Sequence, residues 1–421
     1  MLIFGSMAIT LALSIPIFAV MGICAMLALH HVKMDLIAVP QNVFEALDSF
    51  ALLAVPFYVL AGNLMKSGGI SRRLIALAIA LVGWIRGGVG AASVLTCMFF
   101  STMSGSSSAT TAAVGGTMIP AMQNKGYPKP FAAALVAVGG ELGAIIPPSL
   151  PMVIYGLVAN VSIGSLFIAG ILPGIFVGIS LMVAVCVMAK LKNFDEVKRV
   201  PPREWLRGVA SAGGDAVLAL LMPVIILGGI YSGVFTATEA SVVAVVYGLA
   251  IGIFVYKEIR PKDLVAIFNE SAVMTGMVML IVGFAALFGY ALTVNRVPHY
   301  LGELIGHVAS GPIVFLLLVN VLLFVIGTFM EALATILILG PILAPIAQTY
   351  GIDPVHFGIV MIINVATGMV TPPVAVNLTI ASQISGVSMD AMTRPLLVFL
   401  AVLTLDALVI SFVPALSLGL L

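Results

Sequence analysis

Gly143-Ala-Ile-Ile-Pro-Pro-Ser149 and Gly368-Met-Val-Thr-Pro-Pro-Val374 decide the fold of this chain. Each lies inside a long apolar stretch. Proline removes an amide donor and disfavours helix in the residue before it. Two prolines in a row, after a nearby glycine, therefore predict a helix unwound by about a turn. The two segments stand 225 residues apart, and the same offset recurs without gaps. It pairs Gly143 with Gly368, Gly126 with Gly351, Gln123 with Gln348 and Pro120 with Pro345. Gly115 pairs with Gly340, and Ala109-Thr110 with Ala334-Thr335. One offset held over that length predicts an internal repeat.

Working outward, composition sets the solvent. Of the 421 residues 62% are hydrophobic and 8% charged, and the mean hydropathy is +1.23. Soluble domains carry about a quarter charged residues. At about 20 residues per crossing, the length predicts roughly ten spans with short loops. The net charge of +1 gives no pull toward nucleic acid. Cys24, Cys97 and Cys186 lie in apolar runs without disulfide or metal spacing, so they read as buried small residues. The apolar stretch from Leu2 to about Leu29 is too long for a signal peptide core and reads as a retained first span.

Basic residues orient the spans, because loops rich in Lys and Arg stay cytoplasmic. They cluster around Arg72 to Arg86, Lys125 and Lys129, Lys190 to Arg207, and Lys257 to Lys262. The N-terminus is then cytoplasmic. Segments 30–45, 158–164, 232–238 and 293–312 fall outside. Residues 69–86 predict an amphipathic helix on the inner surface. Residues 89–122 touch inner loops at both ends and carry Ser101 to Ser108 in the middle, which predicts a re-entrant hairpin. A broken helix follows at 131–157, and 163–189 returns. Residues 1–189 form the first half, and 190–214 a cytoplasmic linker. Residues 215–421 hold an extra span and the second half, with an outer surface helix at 294–310. Its hairpin spans 313–346 and its broken helix 355–382. The basic arm lies inside in the first half, and its sparsely basic counterpart outside in the second. The expected fold is therefore an all-α polytopic membrane protein of two inverted-topology repeats, as in secondary transporters.

Freed carbonyls at a break need a partner that lipid cannot supply. A cation can satisfy them, and the half-helix that follows presents its positive end to a carboxylate. The hairpin tips add neutral oxygens: Ser101, Ser104, Ser106 and Ser107 at the first, Gly327, Thr328 and Thr371 at the second. Short-range neutral oxygens suit Na⁺, one site per half. A structural kink alone is the competing reading of each Pro-Pro pair. Polar side chains for an organic solute are Ser106, Ser149, Asn364, Asn377 and Thr379, any of which could instead bond across helices. Glu141 and Glu331 lie near the proposed sites, so proton coupling through Glu141 is the alternative. Glu239 and Asp406 read as structural residues at span ends. No hydrolase, zinc-protease or Walker motif is present, which argues against an enzyme and an ATPase. A channel is disfavoured because the pattern is paired hairpin-and-break units rather than repeated pore loops.

Four stretches resemble a known family across essentially the whole chain: Ala54-Val-Pro-Phe-Tyr-Val-Leu-Ala-Gly-Asn63, Ser104-Gly-Ser-Ser-Ser-Ala-Thr-Thr-Ala-Ala113, Gly140-Glu-Leu-Gly-Ala-Ile-Ile-Pro-Pro-Ser149 and Thr371-Pro-Pro-Val-Ala-Val-Asn-Leu378. They look like the large (DctM-like) membrane subunit of tripartite ATP-independent periplasmic (TRAP) transporters. The resemblance implies Na⁺-driven import of an organic acid, of the sialic acid or C4-dicarboxylate class, across a bacterial inner membrane. It implies an elevator motion of a transport domain against a scaffold. A small membrane subunit, expected on a separate polypeptide, and a soluble periplasmic binding protein are the implied partners. Carried over by motif, the first cation site uses Ser101, Ser104, Gly143, Ile146 and Pro148. The second uses Gly327, Gly368, Thr371 and Pro373.

Overall fold

The computed structural model describes residues 5–7, 9–10, 13, 15–35, 37–195, 201–372 and 375–421. Their regular structure is helical throughout, without a strand. In chain order the helices are α1 (Ile17–His31), α2 (Ala38–Leu47), α3 (Ala54–Ser67), α4 (Ile70–Val82), α5 (Gly88–Ser104), α6 (Ser107–Gln123), α7 (Lys129–Gly140), α8 (Leu142–Ile145), α9 (Leu150–Val158) and α10 (Ile163–Lys192). The second part holds α11 (Pro202–Tyr231), α12 (Ala237–Ala250), α13 (Pro261–Val294), α14 (Val297–Val308), α15 (Pro312–Gly327), α16 (Ala332–Thr349), α17 (Pro354–Met369), α18 (Val376–Ser385), α19 (Met389–Phe412) and α20 (Ala415–Leu418).

Seven of these helical segments are long and apolar enough to cross a bilayer, or eight if the bent pair around Pro147-Pro148 is one span. That is fewer than the roughly ten expected, because α1 and α17 are short helices of 15 and 16 residues. Lipid-facing stripes are legible on the long helices. On α10, Ile175, Ile179, Val183, Val187 and Leu191 are all exposed at four-residue spacing, the repeat that keeps side chains on one helix face. The opposite face of α10 is buried and carries Gly170, Gly174 and Gly178.

Several boundaries differ from the sequence reading. Residues 202–214, expected in the linker, form the first turns of α11. An amphipathic pattern continues there, and the arginines that suggested a loop sit on its exposed side. Lys198 and Arg199 lie outside the described residues. The outer segment 30–45 contains most of α2. Helix α13, ahead of the outer surface helix, is 34 residues long. At 1.5 Å per residue this is longer than the ~30 Å hydrocarbon core, so α13 projects past it. Lys66 reaches Glu270 on that projection at 3.1 Å. Arg72 and Arg73 both reach Glu258 Oε1, at 2.8 and 2.9 Å, and Arg73 stacks 3.6 Å from the Tyr256 ring centroid. Helix α4 buries Ile70, Leu74, Ile75, Leu77 and Ala78. It is thus fastened to the helix bundle as well as amphipathic.

The packing has a crossed pattern. In the first half α6 packs on α7, and in the second α16 packs on α17. Helix α18, which follows the second break, packs on α6 and α7. Helix α9, which follows the first break, packs on α16 and α17. Each post-break half-helix therefore lies against the hairpin and pre-break helix of the other half. Helices α1 to α4 and α11 to α14 gather around α13 and α12 on one side, and α13 and α14 pack on the second hairpin through α16. Asp406 lies inside α19 rather than at its end, and accepts a hydrogen bond from Ser180 of α10. Glu239, with Thr236, forms the capping box that starts α12.

Candidate functional site

The first break is closed by its own hairpin. Helix α5 ends at Ser104, Gly105 turns through φ +60°, and Ser106 caps α6 by accepting from Ala109 N. The left-handed turn is where a residue without Cβ is needed. The tip is bonded straight onto the broken helix: Leu150 N donates to Gly105 O at 3.0 Å. A Cβ at Gly143 would lie 2.4 Å from Ser106 O and 2.6 Å from Thr110 Oγ1. Only glycine lets α8 approach this closely. Ser104 Oγ and Thr110 Oγ1 are 2.8 Å apart, and Thr110 also donates to Ser106 O at 2.9 Å. The Pro147-Pro148 peptide is cis. Ser149 restarts the helix by capping Met152 N and donating to Ala144 O at 2.5 Å. The two halves bend by 42°.

Of the five residues assigned to the first cation site, the structure brings Ser104, Gly143 and Pro148 together around Gly105. Pro148 O would lie 2.9 Å from a Cβ there. Ser101 sits one turn back, fully buried, with its hydroxyl on Cys97 O at 2.6 Å. Its carbonyl receives Gly105 N. Ile146 points its side chain into the groove at Gly174 of α10, so only its backbone faces the break. Thr110 is a contributor that the motif reading passed over. Its match to Thr335 at the 225 offset was the available signal, and Thr335 bonds back to Glu331 O just as Thr110 does to Ser106 O.

The second break is built differently. Gly327 ends α15, and a Cβ on Gly368 would lie 2.6 Å from Gly327 Cα, so two backbones meet at the tip. Thr371 N donates to Gly368 O at 2.8 Å, and Thr371 Oγ1 to Thr367 O at 2.9 Å. Helix α18 starts after Ala375, whose φ is +45° without a glycine. Pro373 lies outside the described residues. Thr328 is buried and bonds within its own turn.

A cavity of about 240 Å³ lies between the two hairpin tips. Gly105, Ser106 and Ser107 line it from the first, Glu331, Ala332 and Leu333 from the second, and Leu150 and Pro151 from α9. Helices α6, α9 and α16 thus all begin at this cavity. Each points the positive end of its dipole at the cavity, an arrangement suited to a carboxylate, although the leading amides of α9 are already taken, Leu150 N by Gly105 O and Met152 N by Ser149. The far wall is apolar: Met274, Met277, Val278 and Ile281 of α13. Ser106 and Glu331 occupy equivalent positions at the 225 offset, which is the signal by which Glu331 could have joined the substrate candidates.

Among the other substrate candidates, Ser149 stands beside the cavity as the cap of α9. Asn364, Asn377 and Thr379 do not line it. Asn364 donates to Val360 O of its own helix. Thr379 bonds to Ala375 O and Met389 Sδ. Asn377 is committed to Glu141, at 2.6 Å. Among the described residues no three His, Cys, Asp or Glu side chains gather as a metal group, so a cation at either break would meet mainly neutral oxygens.

Residues 4–416 match the family described as tripartite ATP-independent periplasmic transporter, DctM component. The chain belongs to that family. DctM proteins are transporter permease subunits, not enzymes. This DctM chain is 44% identical over 379 residues to the C4-dicarboxylate TRAP transporter large permease protein DctM of Pseudomonas aeruginosa, covering 90% of this chain and 88% of that one. It is 42% identical to the isethionate TRAP transporter permease protein DctMQ of Oleidesulfovibrio alaskensis, over 98% of this chain and 65% of that longer one. In fold the DctM chain resembles the crystal structure of the Alcanivorax borkumensis YdaH transporter, with a TM-score of 0.65 at 15% identity, over 91% of this chain and 88% of that one.

Proposed function

We propose that this chain is the large membrane subunit of a sodium-coupled importer of a small carboxylated solute. It works in a bacterial inner membrane with its N-terminus cytoplasmic. A small membrane subunit and a soluble periplasmic binding protein that delivers the solute complete the system. The observation that carries this reading is the cavity where three helix N-termini meet between two hairpin tips. At about 240 Å³ it is smaller than the roughly 300–1,000 Å³ of sites for drug-sized ligands. That favours a C4-dicarboxylate over a nine-carbon sialic acid, in keeping with the substrate named for the Pseudomonas relative.

Two Na⁺ ions are taken up at the breaks, one under Ser104, Gly143 and Pro148, one under Gly327, Gly368 and Thr371. Their charge offsets that of the solute between them. The two halves are inverted repeats, a reading supported by the crossed packing of α9 and α18. The hairpins and broken helices move as one body past a scaffold built on α13. The scaffold side of the cavity is apolar, so sliding there breaks few hydrogen bonds and meets a low barrier.

Reconstituted proteoliposomes test this. With the small subunit and the binding protein present, an inward Na⁺ gradient should drive concentrative succinate uptake, and omitting the binding protein should abolish it. Full uptake by this chain alone would instead identify a stand-alone symporter or exchanger. Ohmic conductance without concentrative uptake would identify a channel.

A further inference from the structure

Among the described residues one polar contact crosses from the first break to the second, without a counterpart at the equivalent crossing. Glu141 occupies the joint between α7 and α8, two residues before Gly143, and is 1% exposed. Its Oε1 accepts from Asn377 Nδ2 at 2.6 Å, and its Oε2 is buried without a partner. Asn377 is fully buried in the first turn of α18, two residues past the left-handed Ala375. Its Oδ1 in turn accepts from Ser108 at 3.5 Å, in the first turn of α6. The carboxamide therefore touches the hairpin tip of one half, the break of the same half, and belongs to the break of the other. At the 225 offset the counterparts of Glu141 and Asn377 are Ala366 and Met152. The equivalent crossing of α17 and α9 carries no such pair.

We infer that the Asn377–Glu141 hydrogen bond couples the two breaks, so that cation binding at one raises cation affinity at the other. This rests on reading the breaks as cation sites. The physical reason is placement. A cation that draws the backbone of 368–371 inward shifts the first turn of α18, and Asn377 with it. Glu141 then shifts the α7–α8 joint that holds Gly143 against Ser106 and Thr110. A fully buried side-chain hydrogen bond is directional and costly to leave unmade, which ties the two side chains to move together. Coupling of this kind is reciprocal between the two sites.

The test is equilibrium binding of radioactive Na⁺ to the complete purified complex, where independent sites give a plain hyperbola, alongside melting temperatures. The wild type should give a Hill coefficient approaching about 2, the limit for two coupled sites. Asn377→Leu, of similar size without the amide, should bring it to about 1 and raise half-saturating Na⁺ roughly fivefold or more. Glu141→Gln keeps an acceptor for Asn377 and should keep the cooperativity. The swapped pair Glu141→Gln with Asn377→Asp re-forms the bond in reverse polarity and should recover it. If Asn377→Leu fails to accumulate, Ser108→Ala and the swapped pair decide the matter. Cooperativity unchanged in Asn377→Leu, or lost in the swapped pair at wild-type melting temperature, overturns the inference. A sigmoidal wild-type response is absent if the sites act independently, which overturns it too. A wild-type complex that binds no Na⁺ overturns the cation reading itself.

Discussion

The two helix breaks share a sequence signature and differ in construction. Around the first, residues 131–156 are buried almost without interruption, and Ser149 caps the restarted helix. Around the second, Thr371 is half-buried, Pro372 is exposed, and α18 restarts without a side-chain cap. Ala375 holds a left-handed conformation that costs an alanine of order 1–2 kcal/mol. The first break is thus a sealed joint and the second a looser, more open one. The difference teaches that one sequence signature can build two breaks of unequal access. Under the proposed function, the cation of the second break would enter and leave first.

The largest effect should come from filling the sealed joint. Gly143→Ala places a methyl 2.4 Å from Ser106 O. Overpacking of this sort costs about 1–3 kcal/mol, or roughly 5- to 150-fold in half-saturating Na⁺ for uptake. A near-wild-type titration would show that the hairpin yields and the joint is not sealed. Next, Ser104→Ala removes the hydroxyl bonded to Thr110 in the interior. Loss of one such bond is worth about 1 kcal/mol, a roughly fivefold weaker Na⁺ dependence. Thr371→Ala at the looser break should weaken it only about twofold, since water can replace a half-exposed hydroxyl. Equal effects at the two positions would erase the contrast between the breaks.

The smallest effect on transport should come from Tyr127→Phe, at the foot of the first hairpin. Burial and the neighbouring Asp195 push the Tyr127 hydroxyl above its usual pKa, so it stays a donor at neutral pH. It bonds to Asp195 Oδ2 at 3.3 Å, and the same oxygen accepts from Val89 N at 3.0 Å. Removing it should cost about 1 kcal/mol of stability, read as a lower melting temperature, with the Na⁺ titration unmoved. A shifted titration would make the hairpin foot part of the coupling.

Much of this was legible in the sequence, because membrane architecture is written in local signals. The Pro-Pro pairs, the serine tip and the glycines at the 225 offset fix where the chain breaks. The contact of Gly143 with Ser106 also stays within one half. Partners across the two halves were not legible. Asn377 looked like a substrate residue because it is polar within an apolar crossing, and only tertiary packing reveals that Glu141 takes its amide. The apolar wall of α13 was hidden for the opposite reason. Met274, Met277, Val278 and Ile281 are indistinguishable in sequence from the lipid-facing residues beside them. The start of α11 was missed because arginines on an exposed helix face look like a loop.

The most direct test of the central claim is ion replacement in the assembled system. Proteoliposomes carrying the large and small subunits, supplied with loaded binding protein, are given an inward gradient of Na⁺ or of K⁺ at equal ionic strength. Uptake should be concentrative in Na⁺ and fall to background in K⁺. Equal uptake in the two salts would contradict sodium coupling and turn attention to Glu141 as a proton carrier.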